Sequence, residues 1–372
     1  MTRAADAGTF SDAGTADAGT AADAGIAPEL RAAVRGVDAP DVVFAHSAGG
    51  RRTVVTGGTG PPPDTQPRGI PREELRYEIG SASKTFTGLL LADLSQHQLV
   101  HLGDRATAHL PLPVSLPPHR HRDAVTLLHL ITHTAGLPRL PRDFYPQALP
   151  HWHSNPYAGY SGDRLLRAFA RSRPRHSPGS RWRYSNFGVA LLGPALAQAT
   201  GTPFTELLAR RVLTPLGLDG TGLVPLGPGR DATGHSKDGR KGGHGTSSRL
   251  RPFDTGGFLA GGAVRATPGD LLSYLEAHLR PSASPLPAAL EAVQEPLLRR
   301  GFGRAHTHTL SWIRHPTDHG PLYFHSGATM GQEAFLGFRP ATGTALVALA
   351  TRRYTSSSTL APAAYRLLTA AP

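Results

Sequence analysis

The chain has 372 residues, enough for one large domain or two modest ones with a buried core. Lysine and arginine outnumber aspartate and glutamate by 39 to 27, a net charge of +12 with histidine neutral. The basic residues are scattered through loops and no nucleic-acid-binding module is visible, so we expect no nucleic-acid partner. Cysteine is absent, which excludes disulfides, zinc–thiolate sites and thiol nucleophiles.

The N-terminal region has neither the composition of a folded segment nor that of a targeting signal. Residues 1–27 repeat Asp-Ala-Gly and contain few large apolar side chains, so we expect a disordered tail. A basic segment followed by an apolar one, typical of a signal peptide, is not evident. No apolar run reaches the roughly 18 residues that a membrane span needs. We therefore expect a cytoplasmic protein without a membrane partner.

Secondary-structure signals follow in chain order. The N-terminal part predicts a helix at 28–37, a hairpin at 41–58, a proline-rich loop, a short strand at 75–80 and a helix at 83–99. The middle, roughly 104–255, alternates short helices with long loops; its apolar helices are predicted at 126–137 and 186–201, and 227–256 is predicted to be a loop. The C-terminal part predicts a helix at 267–279 with Thr267 as its cap, strands at 310–315, 322–327, 332–340 and 343–352, and a helix at 359–370.

Strands near both ends of the chain thus bracket a helical region. Successive C-terminal strands joined by short turns predict an antiparallel sheet, with the two terminal helices packed on it. We expect a tail over 1–27 and a single domain over 28–372. Within that domain, an α/β subdomain is expected from about 28–100 and 260–372, and a helical subdomain at about 101–259.

A short polar run, Gly80-Ser81-Ala82-Ser83-Lys84, opens into the apolar helix at 83–99. Ser81 and Lys84 are one turn apart and would share a helix face. A serine hydroxyl becomes nucleophilic when a base takes its proton, and a buried lysine can be that base. The backbone N–H of Ser81 could also hold an oxyanion. Ser-x-x-Lys is common by chance, however, and a simple helix cap at Ser81 is the alternative.

A second segment, Tyr184-Ser185-Asn186, precedes the apolar helix at 186–201. In the functional interpretation, Tyr184 is an acid/base partner of the nucleophile and the leaving group, and Asn186 donates to a substrate carbonyl. In the structural alternative, Tyr184 is a core aromatic residue and Asn186 is a helix cap.

A third segment, His325-Ser326-Gly327-Ala328, opens a strand-like run. In the functional interpretation this strand edge lines the site, Gly327 allows the substrate backbone to approach closely, and the Ala328 N–H is a second oxyanion donor. The alternative is a turn with a chance histidine, because the chain has 19 of them.

Four segments occur together in a recognisable order: YEIGSASKTFTGLLLADL (77–94), VTLLHLITHTAGLP (125–138), PGSRWRYSNFGVALLG (178–193) and HSGATMGQEAFLGF (325–338). On these segments, residues of roughly 30–370 resemble the serine β-lactamase-like superfamily. The resemblance is greatest to the branch with class C β-lactamases, D-stereospecific peptidases and family VIII esterases. It implies an α+β, β-lactamase/transpeptidase-like fold: an antiparallel sheet flanked by helices, plus an all-helical domain, with the site between them.

The resemblance also implies a set of site residues. The implied assignment is Ser81 as the acylated nucleophile, Lys84 as general base or proton relay, Tyr184 as second acid/base group, Asn186 as substrate-orienting amide, His325 in the third motif beside Gly327, and the N–H groups of Ser81 and Ala328 as the oxyanion hole. No metal or cofactor is implied. The partner is a small-molecule substrate, and the oligomeric state is left open.

The third motif departs from the β-lactamase pattern. Histidine stands where those enzymes usually carry a lysine that helps to hold the substrate carboxylate, and a largely neutral histidine would hold it less well. Met330-Gly331 stands where a glycine pair often follows. These departures favour an esterase or peptidase acting on a small substrate through an acyl-enzyme. The alternatives are a β-lactamase, an acyltransferase and a catalytically silent relative used for binding.

Other motifs in the sequence do not indicate a metal or nucleotide site. Histidine pairs occur at His119/His121, His151/His153 and His306/His308, without the spacing of a helical zinc motif. The run Gly-Ser-Ala-Ser-Lys-Thr lacks the Gly-Lys-Ser/Thr ending of a phosphate-binding loop, so nucleotide binding is not expected.

Overall fold

The computed structural model describes residues 18–60, 69–112, 116–236, 248–300 and 306–370. The strands are β1 (Val42–Ala48), β2 (Arg51–Gly57), β3 (Tyr77–Glu78), β4 (Arg265–Ala266), β5 (Leu298–Arg300), β6 (His306–His308), β7 (Ile313–His315), β8 (Leu322–Ala328), β9 (Glu333–Arg339) and β10 (Thr344–Ala350). The helices are α1 (Ala18–Arg35), α2 (Ser83–Gln96), α3 (Ala106–His109), α4 (Arg120–Asp123), α5 (Leu127–Ile131), α6 (Phe144–Ala148), α7 (Gly162–Ala170), α8 (Asn186–Thr200), α9 (Phe204–Leu208), α10 (Leu259–Gly262), α11 (Pro268–Leu279), α12 (Pro287–Ala292) and α13 (Leu360–Ala370).

An eight-stranded antiparallel sheet organises the molecule, in the order β2-β1-β10-β9-β8-β7-β6-β5. The first hairpin therefore pairs with the last strand, which places the two ends of the chain in one sheet. β3 and β4 form a separate two-stranded pair. This arrangement confirms the predicted α+β class with an antiparallel sheet.

The β1–β2 hairpin shows why the local sequence was predictive. Gly49 and Gly50 join the strands, with φ angles of 58° and 83°. A two-residue hairpin turn that matches strand twist needs left-handed backbone at both positions, which glycine adopts without a Cβ clash. Ala48 then pairs with Arg51 and the register continues to Val42 opposite Gly57.

Both faces of the central strands β1, β9 and β10 are buried, and alternate residues of one strand face different layers. On β1, Val42 and Phe44 pack with α1 and α13, whereas Val43 and Ala45 belong to the core that contains α2, α8 and α11. Continuous apolar strands such as β10 follow from this burial. The two terminal helices lie on the sheet, as predicted.

Helix α2 is buried along most of its length, from Ser83 to Leu94. It packs against α8, α10 and α12, so it has no solvent-facing stripe. Helix α8 is similarly apolar and ends at Gly201, whose φ of 65° is the left-handed conformation of a helix stop. Thr267 caps α11, as predicted, by accepting from the Asp270 N–H at 3.1 Å. No described helix combines the length and apolarity needed to cross a bilayer.

Three regions differ from the sequence-based expectation. Helix α1 begins at Ala18, inside the tail predicted over 1–27, because its alanine-rich start favours helix and continues into the segment whose Leu30 packs on the sheet; residues 1–17 lie outside the described residues. The helix predicted at 126–137 ends at Ile131, and its remainder is a turn. Strands β4, β5 and β6 were not predicted. The described parts of the 227–256 loop contain neither helix nor strand, and 237–247 are not described.

Stability should fall in mild acid because α11 buries a neutral histidine. His278 has no exposed surface, and burial lowers its pKa to about 4. In the unfolded chain the pKa is about 6.5, so this stabilisation is present above pH 6.5 and is lost as the pH falls towards 4. We expect the unfolding free energy in urea to drop by on the order of 2 kcal/mol between pH 7 and 5 from this group.

The matched variants are His278→Phe, which keeps an aromatic ring, and His101→Phe at an exposed position. The first should reduce the loss of stability between the two pH values, and the second should leave it unchanged. An unaltered pH dependence in His278→Phe would contradict the assignment.

Candidate active site

Ser81 lies in a one-turn 3₁₀ helix, Gly80–Ala82, that runs directly into α2. Gly80 has a φ of +49°, and a Cβ on it would lie 2.5 Å from the carbonyl oxygen of Ala328. Glycine is therefore needed both for the left-handed backbone and for the close approach of β8. The N-cap residue of α2 is Ala82, and no side chain, that of Ser81 included, makes a capping hydrogen bond there. The helix-cap alternative is thus wrong.

Lys84 is buried, with only 2% of its surface exposed. Its Nζ donates to Ser81 Oγ at 3.0 Å and to the carbonyl oxygen of Gly261 at 2.7 Å. It also stands 5.2 Å from the centre of the Tyr184 ring. No carboxylate of the described residues lies within ion-pair distance of it. The amine is therefore held by a hydroxyl and a carbonyl, directed at the serine.

Tyr184 reaches the same oxygen from the opposite part of the fold. Its hydroxyl donates to Ser81 Oγ at 2.7 Å, so this oxygen accepts from both Tyr184 and Lys84. Tyr184 lies just before α8, whose cap is Ser185: the Ser185 hydroxyl accepts from the Gly188 N–H at 2.9 Å. The structure thus brings the three predicted catalytic side chains together, although they come from two distant segments.

Asn186 is the first residue of α8 and is not its cap, contrary to the structural alternative. Its Nδ2 donates to the hydroxyl of Tyr157 at 3.5 Å. Its Oδ1 is buried and has no hydrogen-bond partner among the described residues. A buried amide oxygen without a partner is costly unless another molecule supplies a donor. That Asn186 orients a substrate stays a prediction.

The third motif lies at the end of β8, against the nucleophile turn. A Cβ on Gly327 would lie 1.9 Å from the Ile79 carbonyl oxygen and 2.8 Å from the Ser81 nitrogen, and Ala328 touches Gly80. The strand edge therefore runs beside Ser81 because residue 327 has no side chain. That the Ser81 and Ala328 N–H groups form an oxyanion hole stays a prediction.

His325 precedes this contact and is 8% exposed. Its Nδ1 donates to the carbonyl oxygen of Ser326 at 2.7 Å. Burial, and then the positive charge of Lys84, lower the pKa of His325 to about 3. The imidazole is therefore neutral at physiological pH and provides no fixed positive charge beside Ser81.

We expect Gly327→Ala to lower turnover by about 100-fold or more, because the added methyl group must displace the nucleophile turn, and displacements near 1 Å are that costly. Steady-state hydrolysis of an ester and the melting temperature would be measured together. Ser326→Ala is the matched control, since its side chain is exposed on the same strand. Wild-type turnover in Gly327→Ala would contradict the close packing of β8 on the turn.

Glu78 joins the segments around the site, and sequence analysis did not single it out. Its carboxylate accepts from Arg265 Nη2 at 3.1 Å, from the Phe253 N–H at 2.7 Å and from the Thr329 hydroxyl at 2.6 Å. These bonds connect β3, β4, a loop and the turn that follows β8. The available signal was an acidic residue between Tyr77 and Ile79, directly before Gly80.

Three ring side chains at or near Tyr184, those of His133, Trp182 and His308, were not predicted to belong to the site. The ring of His133 is centred 4.5 Å from that of Tyr184, and the ring of Trp182 is centred 6.4 Å away. His308 of β6 lies against Trp182, with ring centres 5.5 Å apart. The signal for His133 was its place in the second of the four matched segments. His308 came from a strand that the sequence did not predict.

The His119/His121 pair has structural partners of its own. The His119 ring accepts from the Arg122 N–H at 3.3 Å and thereby caps α4, and His121 Nδ1 bonds to the Pro174 carbonyl at 2.9 Å. Within the described ranges, no three potential metal ligands are grouped in a way that could hold an ion.

An antiparallel sheet covered by helices, with a Ser-x-x-Lys turn facing a Tyr-x-Asn segment, is the β-lactamase/transpeptidase-like fold. Two solved structures have it. A class C β-lactamase from Rhodobacter sphaeroides superposes with a TM-score of 0.74 at 23% identity, over 92% of this chain and 98% of that one. A β-lactamase/D-alanine carboxypeptidase from Pseudomonas syringae gives 0.76 at 21% identity, over 95% and 99%.

Sequence comparison agrees. A β-lactamase of Pseudomonas fluorescens is 27% identical over 80% of this chain and 85% of its own length. The D-alanyl-D-alanine-carboxypeptidase/endopeptidase AmpH of Escherichia coli K12 is 27% identical over 58% of this chain and 52% of its own. The Beta-lactamase family model matches residues 30–371. The chain belongs to the Beta-lactamase family, and it is a serine hydrolase.

Proposed function

We propose that the protein cleaves the ester or amide bond of a small substrate through an acyl-enzyme on Ser81, as an esterase or peptidase. The supporting observation is the pair of hydrogen bonds to one oxygen: Ser81 Oγ accepts from Tyr184 at 2.7 Å and from Lys84 at 3.0 Å. A serine with two proton-transferring groups in contact has the geometry of an activated nucleophile.

The reaction follows from this arrangement. For the attack, one member of the Lys84–Tyr184 pair is deprotonated, and it takes the Ser81 proton as Oγ bonds to the substrate carbonyl carbon. The oxyanion is held by the N–H groups of Ser81 and Ala328, each donor being worth about 3 kcal/mol. Tyr184 returns the proton to the leaving group, and the carbonyl re-forms as an ester of Ser81. Water then enters and attacks the ester carbonyl carbon while the same pair takes its proton. The bond to Ser81 Oγ breaks, the pair returns that proton to Oγ, and the acid leaves.

The environment of His325 supports the preference for esters or simple amides. A neutral imidazole that is 8% exposed has no charge with which to bind a substrate carboxylate. Substrates whose recognition depends on a carboxylate at this position should therefore bind weakly. The substrate class we favour is a small acyl compound without an obligatory carboxylate there.

A second candidate, hydrolysis of β-lactams or of D-alanyl peptides, is favoured by the names of the relatives. It uses the same acyl-enzyme and differs in the recognition of the substrate. Acyl transfer to an acceptor other than water uses that intermediate as well.

The test is parallel turnover of a short-chain nitrophenyl ester, nitrocefin and a D-alanyl-D-alanine peptide by wild type and Ser81→Ala. We expect Ser81-dependent hydrolysis of the ester and little turnover of nitrocefin. Fast nitrocefin turnover would favour the second candidate. If turnover is too slow to measure, intact-mass spectrometry would still detect acylated Ser81. Absence of both turnover and acylation would favour the catalytically silent relative.

A further inference from the structure

His133 has a left-handed backbone conformation, which residues other than glycine rarely adopt. Among the described residues, only His133 and Gln98 combine a side chain with a left-handed φ, at 61° and 57°. Such a conformation costs free energy in any residue with a Cβ, and it persists where surrounding contacts impose it. Gln98 is an exposed residue after α2, whereas His133 is buried beside the site.

His133 contacts Tyr184 and the residues on both sides of it. Its carbonyl oxygen accepts from the Arg183 N–H at 2.9 Å, and its ring Nδ1 accepts from the Ser185 N–H at 3.2 Å. Its ring packs on the Tyr184 ring, with centres 4.5 Å apart. One residue thus holds the backbone on both sides of Tyr184 and the ring between them.

The left-handed turn makes these contacts possible. Helix α5 stops at Ile131, and the turn at His133 directs its carbonyl and its ring to the same neighbouring segment. That segment is otherwise close to solvent, because Arg181 and Arg183 are exposed. The turn residues continue the connection: the Thr134 carbonyl accepts from the Gly179 N–H at 2.9 Å.

The ring must be neutral for this arrangement, since an imidazolium has no acceptor nitrogen. Burial lowers the pKa of His133 well below 6.5, and the positive charge of the nearby Lys84 lowers it further. The Ser185 N–H bond of 3.2 Å then assigns the proton of the neutral ring to Nε2.

We propose that His133 is a positioning residue for catalysis, which holds the Tyr184 hydroxyl on Ser81 Oγ by fixing residues 183–185. It acts through Tyr184 and does not touch the reacting atoms. The inference rests on the proposed function, because positioning matters only if Tyr184 transfers the proton.

The principal variant is His133→Phe, which keeps a ring but removes the Nδ1 acceptor. We expect kcat for a nitrophenyl ester to fall by about 30-fold or more, with KM changed by less than about threefold, as for a displaced catalytic group. Gln98→Phe is the matched control, because it places the same side chain on the other left-handed residue. It should affect stability at most and leave kcat unchanged.

The decisive readout is a double-mutant cycle with Tyr184→Phe, measured as the rate of Ser81 acylation by intact mass. If His133 acts through Tyr184, His133→Phe slows acylation in the wild-type background and has no further effect when Tyr184 is already Phe. A general loss of structure would slow both backgrounds equally. His133→Asn, which suits the left-handed backbone, is carried through the same cycle in case the Phe variant folds poorly.

The outcomes are distinguishable. Equal losses in the two backgrounds, or wild-type kcat in a folded His133→Phe protein, would overturn the positioning inference while Ser81-dependent turnover upheld the proposed function. Absence of Ser81 acylation in the wild type would overturn both. A loss confined to the background that retains Tyr184 supports both.

Discussion

Replacing Ser81 by alanine should lower ester hydrolysis by more than about 10⁴-fold, the effect expected when the nucleophile of an acyl-enzyme mechanism is removed. Lys84 and Tyr184 are both hydrogen-bonded to Ser81 Oγ. Without this oxygen, no nucleophile remains next to the two groups that transfer protons. The fold should survive, because Lys84 keeps its bond to the Gly261 carbonyl at 2.7 Å.

The matched control for this variant is the second serine of the same run. Ser83 is buried, and its hydroxyl accepts from the Val264 N–H at 3.0 Å. It therefore supports the fold, whereas Lys84 Nζ bonds to Ser81 and to the Gly261 carbonyl. Ser83→Ala should cost about 1–3 kcal/mol of stability and retain Ser81 acylation. A Ser81→Ala protein that hydrolyses the ester at a rate within tenfold of wild type would contradict the mechanism.

Tyr184→Phe should lower kcat by about 10²–10⁴-fold, the usual contribution of a general acid/base group. The substitution removes one oxygen atom, the donor 2.7 Å from Ser81 Oγ, and leaves the ring packed against His133. KM should change little, because the lost interaction belongs to proton transfer and not to substrate binding. Steady-state kinetics together with the acylation rate separates these effects.

Tyr160→Phe is the matched control for a lost phenol hydroxyl. Tyr160 is buried in the neighbouring aromatic cluster and donates to Asp143 at 2.7 Å. Its substitution should lower the melting temperature and leave kcat unchanged. If Tyr184→Phe were as active as Tyr160→Phe, Lys84 alone would have to transfer the proton.

Much of the site could be predicted because its chemistry is carried by short segments. Ser81 and Lys84 are three residues apart, and a turn leading into a helix is enough to bring them together. Tyr184 could be placed only by resemblance, since nothing local in its segment indicates a partner elsewhere in the chain. The structure then brings its hydroxyl to 2.7 Å from Ser81.

The errors arise where long-range contacts override local preference. The apolar pattern at 126–137 favours a continuous helix, yet the chain leaves helical geometry at His133 because its carbonyl and ring bond to the segment around Tyr184. The local sequence pattern does not indicate these partners, which lie about 50 residues away. The environment of His325 was similarly hidden, because its neutrality follows from burial within the fold.

The sequence by itself determined the hairpin at Gly49-Gly50, the cap at Thr267, helices α2, α8, α11 and α13, most of the described strands and the order of the family segments. Each of these depends on residues that are neighbours along the chain. Only the tertiary structure decided three contacts. The Gly261 carbonyl accepts a hydrogen bond from Lys84, β8 lies against the nucleophile turn, and His133 bonds to the segment around Tyr184. These contacts join residues far apart in sequence, and their free energy comes from burial and hydrogen bonding that the folded chain alone creates.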